Sequence, residues 1–254
     1  MIMSFLIFWG LLLPFAGTLL GCGGVFFMRG EMSGRVRCAL LGFSGGIMTA
    51  ASVWSLLLPA IAYSTDMGVL AFLPAAVGFL LGMGFLMSLE KMPDKFGRVR
   101  RTSSSRRLVL AVGLHNIPEG MAVGAAFAGL LAGNTGITLA EAMGLAAGIA
   151  IQNIPEGAIV TMPVRAEGER KSRAFLSGVL SGVVEPIGSF VTLYAVGMLL
   201  PILPYLLGFA AGAMIYVVIN ELVPEMSEGD HSRLGEVMFG LGFALMMTLD
   251  VALG

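Results

Sequence analysis

The chain has 254 residues, of which 57% are hydrophobic and only 12% are charged. Soluble domains carry about 25% charged residues, so the composition excludes a soluble fold of this length and favours a membrane protein. The apolar residues come in runs of about 20 rather than in strand-like alternation, which argues against an outer-membrane barrel and predicts an all-α polytopic membrane protein. The net charge is only −1, so the positions of the 15 Lys and Arg residues along the chain are more informative than the total charge.

Windows of about 19 residues predict eight transmembrane helices in chain order. They cover residues 4–28, 38–62, 69–89, 108–131, 139–163, 174–198, 205–224 and 235–253. The first stretch is too long for the apolar part of a signal peptide and lacks a basic segment before it, so we expect it to be retained. The spans form a single transmembrane domain over 1–254 that leaves no room for a second, soluble domain.

The basic residues are segregated along the chain. All 15 lie in the connections between spans one and two, three and four, five and six, and seven and eight. The positive-inside rule therefore places these connections in the cytoplasm and both termini on the extracytoplasmic side. The longest connection, a basic stretch at about 91–107, is expected to bind anionic lipid headgroups, and we expect no nucleic-acid partner.

Two of the predicted spans carry the same five residues near their middle. Asn-Ile-Pro-Glu-Gly occurs in span four, in the run from His115 to Gly120, and again 37 residues later in span five, in the run from Gln152 to Gly157. Because adjacent spans run in opposite directions, the pair is typical of an inverted repeat, in which transporters hold their substrate near the middle of the membrane.

Each motif spaces its polar side chains by three and four residues, so an α-helix presents them on one face. They are His115, Asn116 and Glu119 on span four, and Gln152, Asn153 and Glu156 on span five. The proline of each motif frees the carbonyl four residues earlier and bends the helix beside these side chains. Glu185, next to Pro186 in span six, adds a third carboxylate. No Lys or Arg lies within a span to neutralise these acids, so a metal ion, a shared proton or both must do so.

The combination of imidazole and carboxylate suits Zn(II), Fe(II), Mn(II), Co(II) or Cd(II), whereas an all-oxygen set favours Ca(II) or Mg(II). His115 is therefore the discriminating residue. Two alternatives to a transporter of these metals stay open: a cation/Ca(II) exchanger, which His115 disfavours, and a membrane protein that binds metal without transporting it. An intramembrane metalloenzyme needs HExxH or a comparable motif, which the chain lacks, so we expect no enzyme.

Other polar residues in the spans admit two interpretations. Asn116, Gln152 and Asn153 either ligate a metal or form hydrogen bonds between helices. Glu221, near the cytoplasmic end of span seven, either lines an exit path or reaches water. Two acids near the outer ends of spans are expected to be solvated: Glu141 and Asp250.

The paired motifs, the eight spans and the outward termini closely resemble the ZIP (Zrt/Irt-like) family of divalent metal transporters, in particular its bacterial GufA-like branch. The resemblance covers essentially the whole chain, including the run from Ala211 to Tyr216 and the ending from Met247 to Asp250. It implies an integral protein of the bacterial inner membrane that moves zinc, and in many members iron, manganese, cobalt or cadmium, toward the cytoplasm.

The resemblance also implies a centre for one or two metal ions between spans four, five and six. The first site would comprise His115, Glu119, Gln152 and Glu156, with Met48 from span two. The second would comprise Asn116, Asn153 and Glu185, with Glu119 and Glu156 bridging the two ions. The family architecture further implies a three, two, three arrangement of helices, a homodimer, and an elevator-like movement of the metal-bearing helices.

The chain departs from the family pattern in three places. Gln152 stands where many members have histidine, and Asn153 stands where some have a carboxylate. The connection between spans three and four is basic where many members have a His-rich loop, which weakens any case for cytoplasmic metal sensing. Asn153 lowers the negative charge of the second site.

Overall fold

The computed structural model describes residues 2–27, 32–91, 104–133, 137–198, 200–227 and 232–253. Within these ranges the chain is helical and contains no β-strand, which confirms the all-α class. The helices are α1 (Ile2–Gly23), α2 (Gly34–Ala51), α3 (Leu58–Tyr63), α4 (Leu73–Lys91), α5 (Ser104–Ala132), α6 (Leu139–Ala166), α7 (Lys171–Gly182), α8 (Val184–Met198), α9 (Leu203–Val217), α10 (Val223–Ser227) and α11 (Ser232–Leu253). Most of the basic stretch predicted at 91–107 lies outside the described residues.

Six described stretches are long and apolar enough to cross a membrane. They are Met3–Phe26, Gly34–Tyr63, Leu139–Ala166, Lys171–Ala195, Leu203–Ser227 and Arg233–Ala252. Helix α4 contains a shorter apolar stretch, Leu73–Ser88. Helix α5 has 29 residues, a length of about 44 Å, against a hydrocarbon core of about 30 Å. The membrane class is thus supported, and the count of eight spans stays a prediction to which α4 and α5 would supply the third and fourth.

Two spans differ from their predicted outlines. The third was expected from residue 69, but Thr65–Leu70 forms a 3-10 turn in which Gly68 adopts a φ of 57°, and α4 begins only at Leu73. The sixth span is divided at Val183 into α7 and α8. Pro186 explains the division, because it has no N–H and its ring crowds the carbonyl four residues earlier.

Two spans contain a π-helical segment, π1 (Ser52–Leu57) between α2 and α3 and π2 (Val218–Leu222) between α9 and α10. Each is followed, two residues beyond its end, by a proline, Pro59 or Pro224. In both, the N–H just before the proline bonds to the carbonyl five residues earlier. The wider turn relieves the clash that a proline causes in an α-helix, and such turns are frequent at functional sites.

The helices associate in four close pairs, α1 with α6, α5 with α8, α2 with α11, and α4 with α9. In each pair, a Cβ atom on certain glycines would collide with the partner's backbone. These glycines are Gly17 and Gly21 on α1, Gly120 and Gly124 on α5, Gly42 and Gly46 on α2, and Gly78 and Gly82 on α4. Gly157 faces the α1 backbone in the same way, and such small residues allow membrane helices to approach closely.

The pairs fall into two bundles. Helices α1, α5, α6, α7 and α8 form the motif bundle, which contains both copies of the repeated pentapeptide. Helices α2, α3, α4, α9, α10 and α11, with both π segments, form the wall bundle. The main contacts between the bundles are those of α5 with α9 and of α2 with α6, so the repeated motifs lie on helices that face the wall.

Candidate metal centre

Both copies of the motif lie inside long helices. Pro118 is within α5 and Pro155 within α6, and neither proline can donate to the carbonyl of Leu114 or Ile151 four residues earlier. The helices nevertheless continue past the prolines, so the polar side chains around them are presented from helical backbone.

The first contact between the two motifs joins Glu119 to Gln152. The amide Nε2 of Gln152 donates to Oε1 of Glu119 at 2.6 Å, and both side chains are fully buried. This bond uses the nitrogen of the amide and one oxygen of the carboxylate. The remaining oxygens, Glu119 Oε2 and Gln152 Oε1, accept no hydrogen bond from the described residues.

A second set of contacts surrounds Glu185 at the start of α8. Its Oε1 accepts hydrogen bonds from Thr18 Oγ1 at 2.7 Å and from Asn116 Nδ2 at 2.9 Å. Asn116 Nδ2 also donates to the carbonyl of Ser181 at 3.1 Å. Glu185 and Asn116, predicted to share a site, are therefore in direct contact, and both are buried.

Sequence reasoning did not identify Thr18. A single threonine in an apolar span usually bonds to the carbonyl four residues earlier, and Thr18 does so weakly, at 3.5 Å from the Pro14 carbonyl. Its shorter bond to Glu185 crosses 167 positions of sequence. Only the tertiary structure reveals that partner.

Asn153 lies beside both carboxylates. It interacts with Glu119 and with Glu185, and its Nδ2 makes a long contact of 3.5 Å with the carbonyl of Pro14. Glu119, Glu156 and Glu185 are also close enough to repel one another electrostatically. Apart from His115, the predicted residues of α5, α6 and α8 are thus brought together in the motif bundle.

Five buried oxygens in this region accept no hydrogen bond within the described part of the chain. They are Asn116 Oδ1, Glu119 Oε2, Gln152 Oε1, Asn153 Oδ1 and Glu185 Oε2. An unsatisfied buried acceptor costs about 1–3 kcal/mol, and more when it is charged. The amide nitrogens donate hydrogen bonds to neighbouring groups, so only oxygens with free lone pairs remain among these described groups. Such an arrangement suits a cation.

No Lys or Arg whose side chain the structure describes is paired with Glu119 or Glu185. Two ion pairs between described side chains are Arg37 with Glu225 and Arg173 with Glu169, and all four side chains are partly exposed. Among the described side chains, no three from His, Cys, Asp and Glu are grouped to hold an ion by themselves. Within the described residues, the groups that could hold an ion here are carboxylates together with amide oxygens.

His115 occupies the position on α5 one turn before Glu119, but its side chain lies outside the described part of the structure. Its predicted ligand role stays a prediction. Met48 is buried on α2 and, together with Glu156, lines a narrow cavity of about 30 Å³. The methionine and the second glutamate of the predicted first site are therefore neighbours.

This narrow space, the Glu225 cavity, runs away from the motif toward the end of span seven. It is lined by Leu41, Met48, Val112, Glu156, Ile159, Val217, Glu221, Leu222 and Glu225. Glu221 comes from π2. Glu221 is partly buried and lines this cavity, and its role on an exit path stays a prediction.

A wider space, the Asp250 cavity, of about 330 Å³, lies at the other end of the molecule. Its lining includes Ser55 from π1, Glu141 from α6 and Asp250 from α11. Ser55 Oγ donates to Asp250 Oδ1 at 2.5 Å, and Asp250 Oδ2 is buried and accepts no bond from the described residues. The expectation that Asp250 is simply solvated missed this cavity, because nothing local in the sequence links Asp250 to Ser55.

The two acids of this cavity have different tasks. Glu141 forms a capping box with Thr138, in which each side chain bonds to the other residue's backbone N–H, and so it starts helix α6. Asp250 caps no helix, and its described hydrogen bond is the one that it accepts from Ser55. Asp250 is therefore the better candidate for meeting a cation in the cavity.

On α6 an apolar side chain, the Ile149 barrier, lies between the Asp250 cavity and the candidate centre. On α6 the last residue to line the cavity is Leu145, and Gln152 follows seven residues later, a distance of about 10 Å along a helix. Ile149 lies between them on the same face and is fully buried. The centre thus borders the narrow cavity directly, whereas on α6 the buried Ile149 lies between the centre and the wide cavity.

Buried acids and amides that face one another between membrane helices define a class of protein, the membrane proteins that bind cations within the bilayer. A family model described as "ZIP Zinc transporter" matches residues 98–250, more than half of the chain. Known relatives narrow the class further.

Zinc transporter ZIPB of Bordetella bronchiseptica is 39% identical over 251 residues, covering 94% of this chain and 79% of that protein. Zinc transporter GufA of Myxococcus xanthus is 35% identical over 251 residues, covering 94% and 96%. Zinc transporter ZIP11 of Xenopus tropicalis is 35% identical over 326 aligned positions, covering 96% of each chain. The chain belongs to the ZIP family, which confirms the resemblance found in its motifs; the family is one of transporters rather than enzymes.

Proposed function

We propose that this protein carries divalent metal ions, zinc foremost, into the cytoplasm by alternating access. The observation that carries the proposal is the set of five buried oxygens around Glu119 and Glu185 that lack hydrogen-bond donors among the described residues. Membership of the ZIP family and the names of the relatives support zinc as the ion. Iron, manganese, cobalt and cadmium are further candidates because imidazole and carboxylate ligands suit them.

The centre would hold one or two ions. The first site would use His115, Glu119, Gln152, Glu156 and Met48. The second would use Asn116, Asn153 and Glu185, with Glu119 and Glu156 shared between the sites. The Gln152 bond to Glu119 supports the first assignment, because it leaves one oxygen of each group to face an ion.

The second site would be the weaker of the two. Glu185 is its only unshared carboxylate, and one of its oxygens is already held by Thr18 and Asn116. Asn153 contributes a neutral amide. We therefore expect the second site to fill only at higher metal concentration than the first.

The cavities suggest the route of the ion. With the topology that the positive-inside rule predicts, the Asp250 cavity faces outward and the Glu225 cavity faces the cytoplasm. An ion would collect beside Asp250, pass the Ile149 barrier when the motif bundle moves, and leave the centre past Glu221. The present arrangement corresponds to a state in which the barrier on the outward side is closed.

The division into two bundles supports an elevator-like movement of the motif bundle against the wall bundle. We propose eight spans in a three, two, three arrangement with an inverted repeat, both termini on the extracytoplasmic side, and residence in the bacterial inner membrane. The wall bundle would then provide the contact between the subunits of a homodimer.

Zinc flux into proteoliposomes, reported by an indicator in the lumen, tests the proposal. The wild type should show saturable uptake, and Glu119→Gln should lower it by about 100-fold or more, since even groups that only support a metal ligand cost about 10–100-fold. Glu236→Gln, at an exposed position near the start of α11, is the matched control and should behave as wild type. Unchanged uptake in Glu119→Gln would refute the assignment.

The same assay separates the alternatives. Competition by Ca(II) as strong as that by Zn(II) would indicate a cation/Ca(II) exchanger. Zinc that binds to the wild type but not to Glu119→Gln, with no flux through either protein, would indicate a metal-binding membrane protein without transport.

A further inference from the structure

The Glu225 cavity ends at a basic side chain. Arg37, near the start of α2, places Nη2 2.7 Å from Oε2 of Glu225 on α10. The same cavity reaches Met48 and Glu156 of the candidate centre at its other end. An ion that leaves the centre by this route therefore arrives at a carboxylate that already has a cationic partner.

Arg37 also lines a second, wider cavity of about 230 Å³. Ile159 of α6 lines both this space and the Glu225 cavity. The guanidinium group thus lines the wider space together with Ile159, which also lines the narrow path that a departing ion would follow.

The ion pair is fixed to one bundle. Arg37 and Glu225 both belong to the wall bundle, and next to them the thiol of Cys38 donates to the carbonyl of Met226 at 2.9 Å. Glu156 and Ile159 belong to the motif bundle. Movement of the motif bundle would therefore change what the ion pair faces without breaking the pair.

We propose that Arg37 competes with the departing metal ion for the carboxylate of Glu225. It is a positioning residue that holds Glu225 when no metal is present, and it so favours release of the ion from this end of the Glu225 cavity. The proposal rests on the transport function proposed above. Its physical basis is twofold: the guanidinium occupies one oxygen of Glu225, and its positive charge repels a divalent cation nearby. The pair is easily exchanged because it is partly solvated, with side-chain exposures of 50% for Arg37 and 35% for Glu225.

The test compares zinc movement from the two faces of the membrane, in everted and in right-side-out vesicles from cells that express the protein. Arg37→Gln should lower the half-saturating zinc concentration at the face that carries Arg37 by about three- to fivefold, the range expected when a partly exposed ion pair is lost. Arg35→Gln, two residues earlier on the same helix and exposed, removes the same charge and should match the wild type.

Two further variants keep the test sharp. Arg37→Lys retains the charge and should stay within about twofold of wild type, since a lysine still pairs with a carboxylate. In a Glu225→Gln background, Arg37→Gln should have no further effect, because the two groups act as one unit. The inference is overturned if Arg37→Gln matches Arg35→Gln, or if its shift persists in the Glu225→Gln background. Absence of zinc movement by the wild type in both kinds of vesicle would instead refute the proposed transport function.

Discussion

The Asp250 cavity and the Glu225 cavity differ in size, in charge and in their connection to the centre. The Asp250 cavity is about 330 Å³, and its acids have no ion pair with a described Lys or Arg. The Glu225 cavity is about 30 Å³ and ends at the Arg37–Glu225 ion pair. On α6 the buried Ile149 lies between the wide cavity and the centre, while the narrow cavity is lined by Met48 and Glu156.

This difference suggests that the two cavities have different functions, although similar backbone segments line both. Both cavities are lined by a π segment that precedes a proline, π1 at one end and π2 at the other. Under the proposed route, these similar backbone segments would serve opposite purposes. A wide acidic space concentrates cations from a dilute solution, and a narrow space with its own cation discourages them from staying. Variants of the centre should therefore affect transport from both faces, whereas variants of one cavity should affect one face.

The largest of these effects is expected at Thr18, which supports the centre that both cavities serve. Thr18→Val removes the hydroxyl that donates to Glu185 while keeping the side-chain volume. We expect the half-saturating zinc concentration to rise by about tenfold from either face, because the loss of a group that orients a ligand costs about that much. Uptake assays in the two kinds of vesicle measure it.

Two comparisons make the Thr18 result interpretable. Thr18→Ser keeps the hydroxyl and should restore most of the affinity. Thr161→Val removes a buried hydroxyl that bonds only to carbonyls of its own helix, so it should change little. Equal effects of Thr18→Val and Thr161→Val would mean that Thr18 acts only through packing.

A smaller, one-sided effect is expected at Asp250. Asp250→Asn removes a negative charge from the wide cavity, so zinc uptake from that face at low ionic strength should fall by about fivefold through weaker attraction of the cation. The effect should shrink as salt is added, because ions screen the attraction. Asp66→Asn, in the exposed turn between α3 and α4, is the matched control. A loss of equal size from both faces would contradict a role confined to this cavity.

The smallest effect is expected at Ser55, whose hydroxyl orients Asp250. Ser55→Ala should lower uptake from the same face by only about twofold, since water can replace the lost donor in an open cavity. In an Asp250→Asn background the substitution should add nothing. An additive loss in the double variant, measured in the same vesicles, would show that Ser55 does not act through Asp250.

The sequence predicted which polar residues would come together better than the groups that support them. The repeated pentapeptide singled out Asn116, Glu119, Asn153 and Glu156, because their spacing on a helix is local information. The resemblance to the family placed Asn116 and Glu185 in one site. Their direct contact was not predicted, because it depends on the packing of α5 against α8. Thr18 could not be predicted, because its partner lies on a distant helix.

The outlines of the helices show a similar limit. Hydropathy located the apolar stretches, but it did not predict that span six divides at Val183 or that α4 begins after the turn at Gly68. Both differences arise where proline or glycine changes the backbone within an apolar run, and hydropathy does not register backbone geometry. The cavity at Asp250 likewise depends on the approach of α11 to π1, which the sequence does not encode locally.

The most direct test of the central claim is anomalous scattering at the zinc edge from crystals of the protein grown with zinc. The account predicts a peak between α5, α6 and α8, with Glu119 and Glu156 among its ligands, nitrogen and oxygen ligands at about 2.0–2.2 Å, and no peak at that position in Glu119→Gln. A zinc peak only at the surface, or one at the centre that persists undiminished in Glu119→Gln, would contradict it.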